Sequence, residues 1–491
     1  MPGVLRDRAF VPGLLFIGTV VSIISSLGAP LIPTIANDLH TSLGSAQWSL
    51  TATMLVGAVA TPVVGRLGDG PWRREVLLFC LACVAGGGAL AALAGSLPVL
   101  VAGRAMQGMG LALMPLTMAA ARDKLDKDNA PGVIAALSVI AAVGVGLGYP
   151  LTGLIANALD VSAAFWFGAI MSGSAFLLAL VVVPSTRHAK TQGRIDVIGA
   201  VLVAIGLVTL LIALEKGADW GWGSGSTVGC LVVAVVAFAV WRWHELRTHD
   251  PLVDLRLLRH RAVLTANVSG LLIGLSMYLG ISLMTQVVQL PEGMGETVFV
   301  SGLVLLPFSA TSFLASRLVP VVQERMGTRI TIPIGCVAIG VATLFFAVGG
   351  ATELWTAFVT MAIFGVGVGF TFSAMPGLIV RAVATDETSS AMSLYQVSRY
   401  VGFSIGSGLA VTLLRAFSGG GASATPDLDA YRATFLVATA LAAFAASVAW
   451  WLAGPATADH VRPSKALRRR EVEEGEVASA GLEMLETPVP R

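Results

Sequence analysis

Apolar residues run through this chain in long blocks, and the charged residues gather in the gaps between them. A bilayer crossing takes ~20 mostly apolar residues as a helix. Fourteen blocks reach that length: 10–36, 45–67, 76–95, 98–121, 133–157, 163–184, 195–214, 226–244, 262–288, 298–320, 330–349, 354–381, 389–414 and 431–453. None alternates in polarity as a membrane barrel strand would, so helices are the spanning form. The pattern predicts an all-α polytopic membrane protein with fourteen transmembrane helices. The first block has no A-x-A-like exit and is expected to be kept as a span. The stretch after Pro455 is polar, with Arg468, Arg469 and Arg470 ahead of an acidic run, and is expected to be disordered.

Charge placement then fixes an orientation. With fourteen crossings and both termini in the cytoplasm, 26 of the 31 Lys and Arg fall inside. Lys216, Arg415 and Arg432 fall outside, and Arg104 and Arg399 fall within spans. Charged residues make up 12% of the 491 positions, about half the share in soluble chains, and mean hydropathy is +0.82. The Ala-, Gly- and Val-rich composition suits a bacterial inner membrane, so a multi-pass plasma-membrane location is expected.

Several function classes drop out. The net charge of +2 includes no clustered basic face, which argues against nucleic acid. No P-loop pattern is present, so ATP is not the direct energy source, and no enzymatic activity or cofactor is expected. Cys80 and Cys83 form a C-x-x-C inside an apolar block, where two small residues one turn apart are the reading, and no metal site is expected.

Features of the first half recur in the second. Met114-Pro115 has a twin in Met375-Pro376, Gly144 and Gly148 in Gly402 and Gly406, and Trp72-Arg73-Arg74 in Gly327-Thr328-Arg329. The offsets are 261, 258 and 255. They suggest a duplication of six spans, with two further helices inserted between the halves. The expected division is 1–190 for the N-terminal half, 191–250 for the inserted pair, 251–454 for the C-terminal half and 455–491 for the tail. Duplicated halves point to a transporter with its substrate site between them, near the midplane.

Three segments carry a resemblance. Gly65-Arg66-Leu67-Gly68-Asp69-Gly70-Pro71-Trp72-Arg73-Arg74 lies between the second and third spans. Leu100, Arg104, Gln107, Gly108 and Gly110 lie in the fourth. Gly144-Val145-Gly146-Leu147-Gly148-Tyr149-Pro150-Leu151-Thr152-Gly153 lies in the fifth. On these the chain resembles the major facilitator superfamily, and within it the fourteen-span drug:proton antiporters of the QacA/EmrB type. The resemblance implies an export function by alternating access. It gives Gly65, Asp69, Arg73 and Arg74 a role in clasping the cytoplasmic helix ends, and Arg104 a role in proton coupling. Gly144, Gly148 and Pro150 would bend the fifth span at the interface of the halves.

Read from the residues alone, Arg104 and Gln107 share a helix face at i, i+3, and a charge within a span must face protein or water. A structural arginine bonded to helix-end carbonyls is the other reading of Arg104. The chain departs from the family at Trp72 and Tyr149, each where glycine is usual, and in lacking an acid in the first span. Tyr149 is expected to point its ring into the cavity. No carboxylate lies deep in any predicted span, which weakens both proton antiport by the common route and a preference for cations. The buried cations Arg104 and Arg399 favour neutral or anionic amphipathic cargo. Tyr395, Gln396 and Arg399 share a face as a polar patch. Trp48, Gln47, Gln107, Met114, Trp166, Asn267, Tyr278 and Gln286 are further cavity candidates. The expected partners are a small-molecule substrate, protons and membrane lipid, with the chain working as a monomer. A lipid or endogenous-metabolite exporter of the same fold is the alternative function.

Overall fold

The computed structural model describes residues 2–68, 72–125, 130–183, 196–248, 251–252, 255–349, 352–383, 388–418 and 426–453. The tail 455–491 and Asp69 lie outside them. The chain folds as helices α1 (Pro2–Ser26), α2 (Ile32–Asp38), α3 (Leu43–Gly68), α4 (Arg73–Ala92), α5 (Leu97–Gly108), α6 (Leu113–Lys124), α7 (Ala130–Ala158) and α8 (Val161–Val182). There follow α9 (Val197–Trp220), α10 (Gly225–Arg247), α11 (Arg261–Gln289), α12 (Val298–Met326), α13 (Thr328–Gly349), α14 (Leu354–Ala382), α15 (Thr388–Phe417) and α16 (Leu428–Ala453). Among the described residues, thirteen helical segments are long and apolar enough to cross a membrane. The 29-residue α7, with Pro150 inside it, makes the fourteenth. Both ends of the described chain therefore lie on one face, the terminal face; the opposite face is distal.

Helix starts follow their capping residues. Asp160, Asp196, Ser224 and Thr297 each accept a bond from a backbone N–H three residues on, satisfying donors a helix start leaves open. Two spans expected to be continuous are interrupted. The first, expected over 10–36, stops at Ser26, turns through Gly28 at φ +117° and resumes after a 3-10 turn, Ala29–Leu31. That backbone conformation suits glycine alone, and Pro30 and Pro33 then occupy first-turn positions where a missing N–H costs nothing. The fourth span changes to 3-10 over Met109–Ala112, between α5 and α6.

The packing repeats. In the first half α1 packs on α7 and α8, α4 on α5 and α8, and α3 on α5. In the second, α11 packs on α15 and α16, α13 on α14 and α16, and α12 on α14. Each pair corresponds under the same eight-span shift. Across the halves α7 meets α12 and α3 meets α15, and these two contacts exchange under that shift. Two six-helix halves related by a pseudo-twofold axis thus enclose the centre, with α9 and α10 as the added pair. The glycines follow suit: a side chain at Gly144 or Gly148 would strike Ser22 or Ser26 of α1, and one at Gly402 or Gly406 would strike the Leu271 or Leu275 carbonyl of α11. Small residues there let helix backbones touch, which is how spans associate where lipid offers no hydrophobic drive.

The outer surface is apolar. Phe79, Leu177, Val235, Val341 and Trp451 are exposed, as a lipid-facing surface requires. α10 is the most peripheral helix, and α11 is enclosed on nearly every side.

Candidate functional site

Described contacts between the halves concentrate toward the distal face. Gln47 of α3 donates through Nε2 to Ser282 Oγ of α11 at 3.0 Å and to Ser407 Oγ of α15 at 2.8 Å. Thr51 Oγ1 shares a 3.0 Å bond with Ser407 Oγ, and Gln286 Nε2 donates to Ser282 Oγ at 3.0 Å. Gln289 of α11 donates to the Pro30 carbonyl at 2.9 Å, joining the turn of the broken first span to the opposite half. Beside this, Gly153 abuts the Val298 carbonyl and Gly302 abuts the Tyr149 carbonyl, so α7 and α12 touch backbone to backbone. Tyr149 is buried at this seam. Toward the terminal face α6 packs on α1, α3, α4 and α7, and α14 on α11, α12, α13 and α15, each within its own half. The central path is thus sealed distally by a buried polar network.

Above the seal, near the middle of the bundle, sits Arg399. It lies 11 residues into α15, ~16 Å along the axis at ~1.5 Å per residue. Its guanidinium stands over four rings, at 5.2 Å from Tyr400, 5.3 Å from Phe372, 5.6 Å from Phe403 and 5.7 Å from Tyr395. Each such contact contributes ~0.5–2 kcal/mol, more as water is excluded. Tyr278 packs on Phe403 with ring centroids 4.6 Å apart. Tyr400 reaches across the seam, its hydroxyl 3.4 Å from the Leu111 carbonyl. Arg399 Nη2 lies 3.5 Å from the Tyr400 hydroxyl, while Arg399 Nε and Gln396 Oε1 have no hydrogen-bond partner among the described residues, so the polar patch expected on this face has unused donor and acceptor capacity. Asn267, expected to line the cavity, instead bonds Ser398 and the Val263 carbonyl, fastening α11 to α15. Trp48 is half-buried on α3, and Met114 packs toward Gly18 of α1.

Arg104 is fully buried, and its hydrogen bonds all lie within the first half. It donates to the Leu27 carbonyl at 2.6 Å, the Ser49 carbonyl at 3.3 Å and Gln107 Oε1 at 2.7 Å. Thr53 donates to the Arg104 carbonyl at 3.0 Å. The shared face read from the sequence is therefore occupied, and the guanidinium fills the gap left where α1 is cut. Gln107 Nε2 remains unpartnered. At the terminal face Arg74 donates to the Leu180 carbonyl at 2.7 Å, tying the start of α4 to the end of α8. Arg73 opens α4, and Gly65 lies in the last turns of α3.

The sequence reading passed over several groups that the fold brings together. Ser282, Ser407 and Thr51 complete the distal seal, yet each is one hydroxyl in an apolar run. Asp196 at the start of α9 meets His244 Nε2 of α10 at 2.8 Å, and Glu245 accepts from the Trp241 indole at 2.9 Å. These last sit at helix ends, where a polar residue signals a boundary more than a site. Among the described residues no group of three or more His, Cys, Asp or Glu could hold a metal.

Known proteins give the arrangement a family. The chain is 28% identical over 420 residues to the Tetracenomycin C resistance and export protein of Streptomyces glaucescens, covering 84% of this chain and 77% of that one. It is 27% identical over 393 residues to the Multidrug resistance protein Stp of Mycobacterium tuberculosis, covering 79% and 72%. Among solved structures, the peptide transporter POT in complex with sulfate superposes with a TM-score of 0.67 at 14% identity, over 91% of this chain and 94% of that one. That likeness speaks to fold alone. Residues 14–407 match the Major Facilitator Superfamily, and with paired six-helix halves around a central seam the chain belongs to that family of membrane transporters.

Proposed function

We propose that this secondary transporter is a proton-coupled exporter of amphipathic small molecules, neutral or anionic, that works as a monomer by alternating access. Both termini are assigned to the cytoplasm of a bacterial inner membrane. The structure then corresponds to the inward-facing state, sealed toward the outside by Gln47, Ser282 and Ser407. The observation that carries the reading is Arg399 among its four rings, with no carboxylate bonded to it among the described residues. Rings offer area to an apolar body, and a guanidinium with a spare N–H offers charge to an acidic or carbonyl group. Tyr395, Gln396 and Tyr278 stand beside it as further contacts, while Arg104 and Gln107 hold the cut first span. Similarity to export and resistance proteins supports the direction of transport.

The test uses inside-out vesicles containing the full chain and a set of fluorescent amphipaths of differing charge. Export in the cell becomes uptake here. Uptake of neutral and anionic probes should stop when a protonophore collapses the gradient. Uptake that persists would remove the proton claim, and uptake confined to cationic probes would remove the assigned substrate class.

A further inference from the structure

α10 ends at Arg247 on the terminal face, and the chain returns to begin α11 at Arg261. In that connection a 3-10 turn, Leu255–Arg259, folds back toward α10. Between helix and turn lies a cavity of about 550 Å3, walled by Phe238, Trp241 and Leu255 and by three arginines, Arg242, Arg256 and Arg259. Arg256 is committed to the helix end, donating to the Leu246 carbonyl at 2.9 Å and the Thr248 carbonyl at 3.3 Å. Arg242 and Arg259 are exposed and make no hydrogen bond or ion pair among the described residues. The described carboxylates beside this end of α10 are otherwise engaged. Asp196 takes His244 and the Gly199 N–H, and Glu245 is buried and accepts the Trp241 indole. That bond turns the Trp241 N–H inward, so an apolar ring face is left for the wall.

The location narrows the ligand. α10 presents Val228, Val232, Val235, Val236 and Val240 outward, an apolar stripe that meets lipid. The stripe ends at Trp243, exposed, with the Arg247 guanidinium 4.4 Å from its ring centre. Aromatic and basic residues at the end of an apolar stripe mark the level of the headgroups. The cavity therefore lies where hydrocarbon gives way to phosphate, with apolar walls and two guanidiniums that no described carboxylate pairs. Arginine binds a phosphodiester through two parallel N–H bonds, and a basic pocket between membrane helices suits an anionic headgroup.

We infer that this cavity is a binding site for an anionic phospholipid, its phosphate held by Arg242 and Arg259 and its upper acyl chain laid on Phe238, Trp241 and Leu255. A zwitterionic lipid brings a cation against those guanidiniums and binds less well. The packing partners of α10 are α9 and this turn. A lipid seated between α10 and the turn therefore fastens the inserted pair to the start of α11.

The experiment counts lipid retained by the purified full chain in native mass spectrometry, from neutral detergent supplemented with equal amounts of phosphatidylglycerol and phosphatidylcholine. The wild type should retain phosphatidylglycerol about tenfold more strongly. Arg242→Gln with Arg259→Gln should weaken that retention roughly thirtyfold, the product of two charges at a membrane surface. Equal retention of the two lipids by the wild type, or unchanged retention by the double variant, would overturn the inference. Millimolar inorganic phosphate should leave the lipid bound; displacement by phosphate alone would assign the cavity to a free anion and sink the lipid assignment. Should the glutamine variant melt early without lipid, Arg242→Lys with Arg259→Lys keeps both charges and removes the planar fork. It should lose retention several-fold, and no loss would count against the site.

Discussion

The guanidinium of Arg104 closes the cut end of the first membrane span, its Nη2 donating to the Leu27 carbonyl at 2.6 Å across 77 residues of sequence. Gly28 makes this possible twice over. Its φ of +117° turns the backbone, and a side chain there would lie 2.8 Å from the same Nη2.

Arg104→Ala is therefore expected to cost stability as well as transport. The Leu27 and Ser49 carbonyls and Gln107 Oε1 would lose a buried cationic donor, and leaving buried acceptors unpaired costs about 1–3 kcal/mol. A thermal melt in detergent should show a clear fall. Arg104→Lys keeps the charge without the fork and should recover part of the stability but little transport per folded molecule. A melt of Arg104→Ala equal to wild type would show that these bonds carry no weight.

Gln47→Leu should unlatch the distal seal. It removes bonds to Ser282 and Ser407, each worth ~1 kcal/mol net, so the sealed-to-open ratio should fall roughly thirtyfold. Labelling of a cysteine placed at Val411, buried against Gly44 a turn beyond Ser407, by a membrane-impermeant maleimide, in a background lacking the four native cysteines, reads this directly. The rate should rise at least tenfold over the same cysteine with Gln47 intact. An unchanged rate would mean that α7 and α12 hold the seal without the amide.

These two sites differ in how far the sequence disclosed them. Arg104 and Gln107 were legible because a charge inside an apolar run must be answered locally, and a spacing of three puts the answer on the same face. The Gln47 seal was not, since Ser282 and Ser407 lie 235 and 360 residues away and a lone hydroxyl in a span has no periodic signature. The repeat was visible in Gly148 and Gly406, whose contacts with α1 and α11 correspond. The interruption at Gly28 was missed although Gly28, Ala29 and Pro30 spell a turn, because apolar content alone ran unbroken across it.

Gly406→Ala tests the close approach of α15 to α11. The new methyl would overlap the Leu275 carbonyl, which is backbone and cannot swing aside. Overpacking of this kind costs about 1–3 kcal/mol. Gly377→Ala, where nothing lies near, is the matched control and should cost no more than a few tenths of a kcal/mol. Equal melting temperatures for the two variants would refute the tight α11–α15 contact.

Arg399→Gln should change which charge the transporter accepts. The substitution leaves the four rings in place and removes the cation above them. An anionic substrate that pairs with the guanidinium loses a charge-assisted bond worth ~1.5–3 kcal/mol, or roughly ten- to a hundredfold in apparent affinity. A neutral amphipath of the same shape keeps its ring contacts and should lose less than threefold. Phe403→Ala reverses the pattern: it strips apolar area next to Tyr278 and Tyr400 and should weaken both probes alike. Concentration-dependent uptake of the two probes into inside-out vesicles gives each ratio. Parallel losses for both probes in Arg399→Gln would mean that the arginine holds the aromatic cluster together and does not read substrate charge.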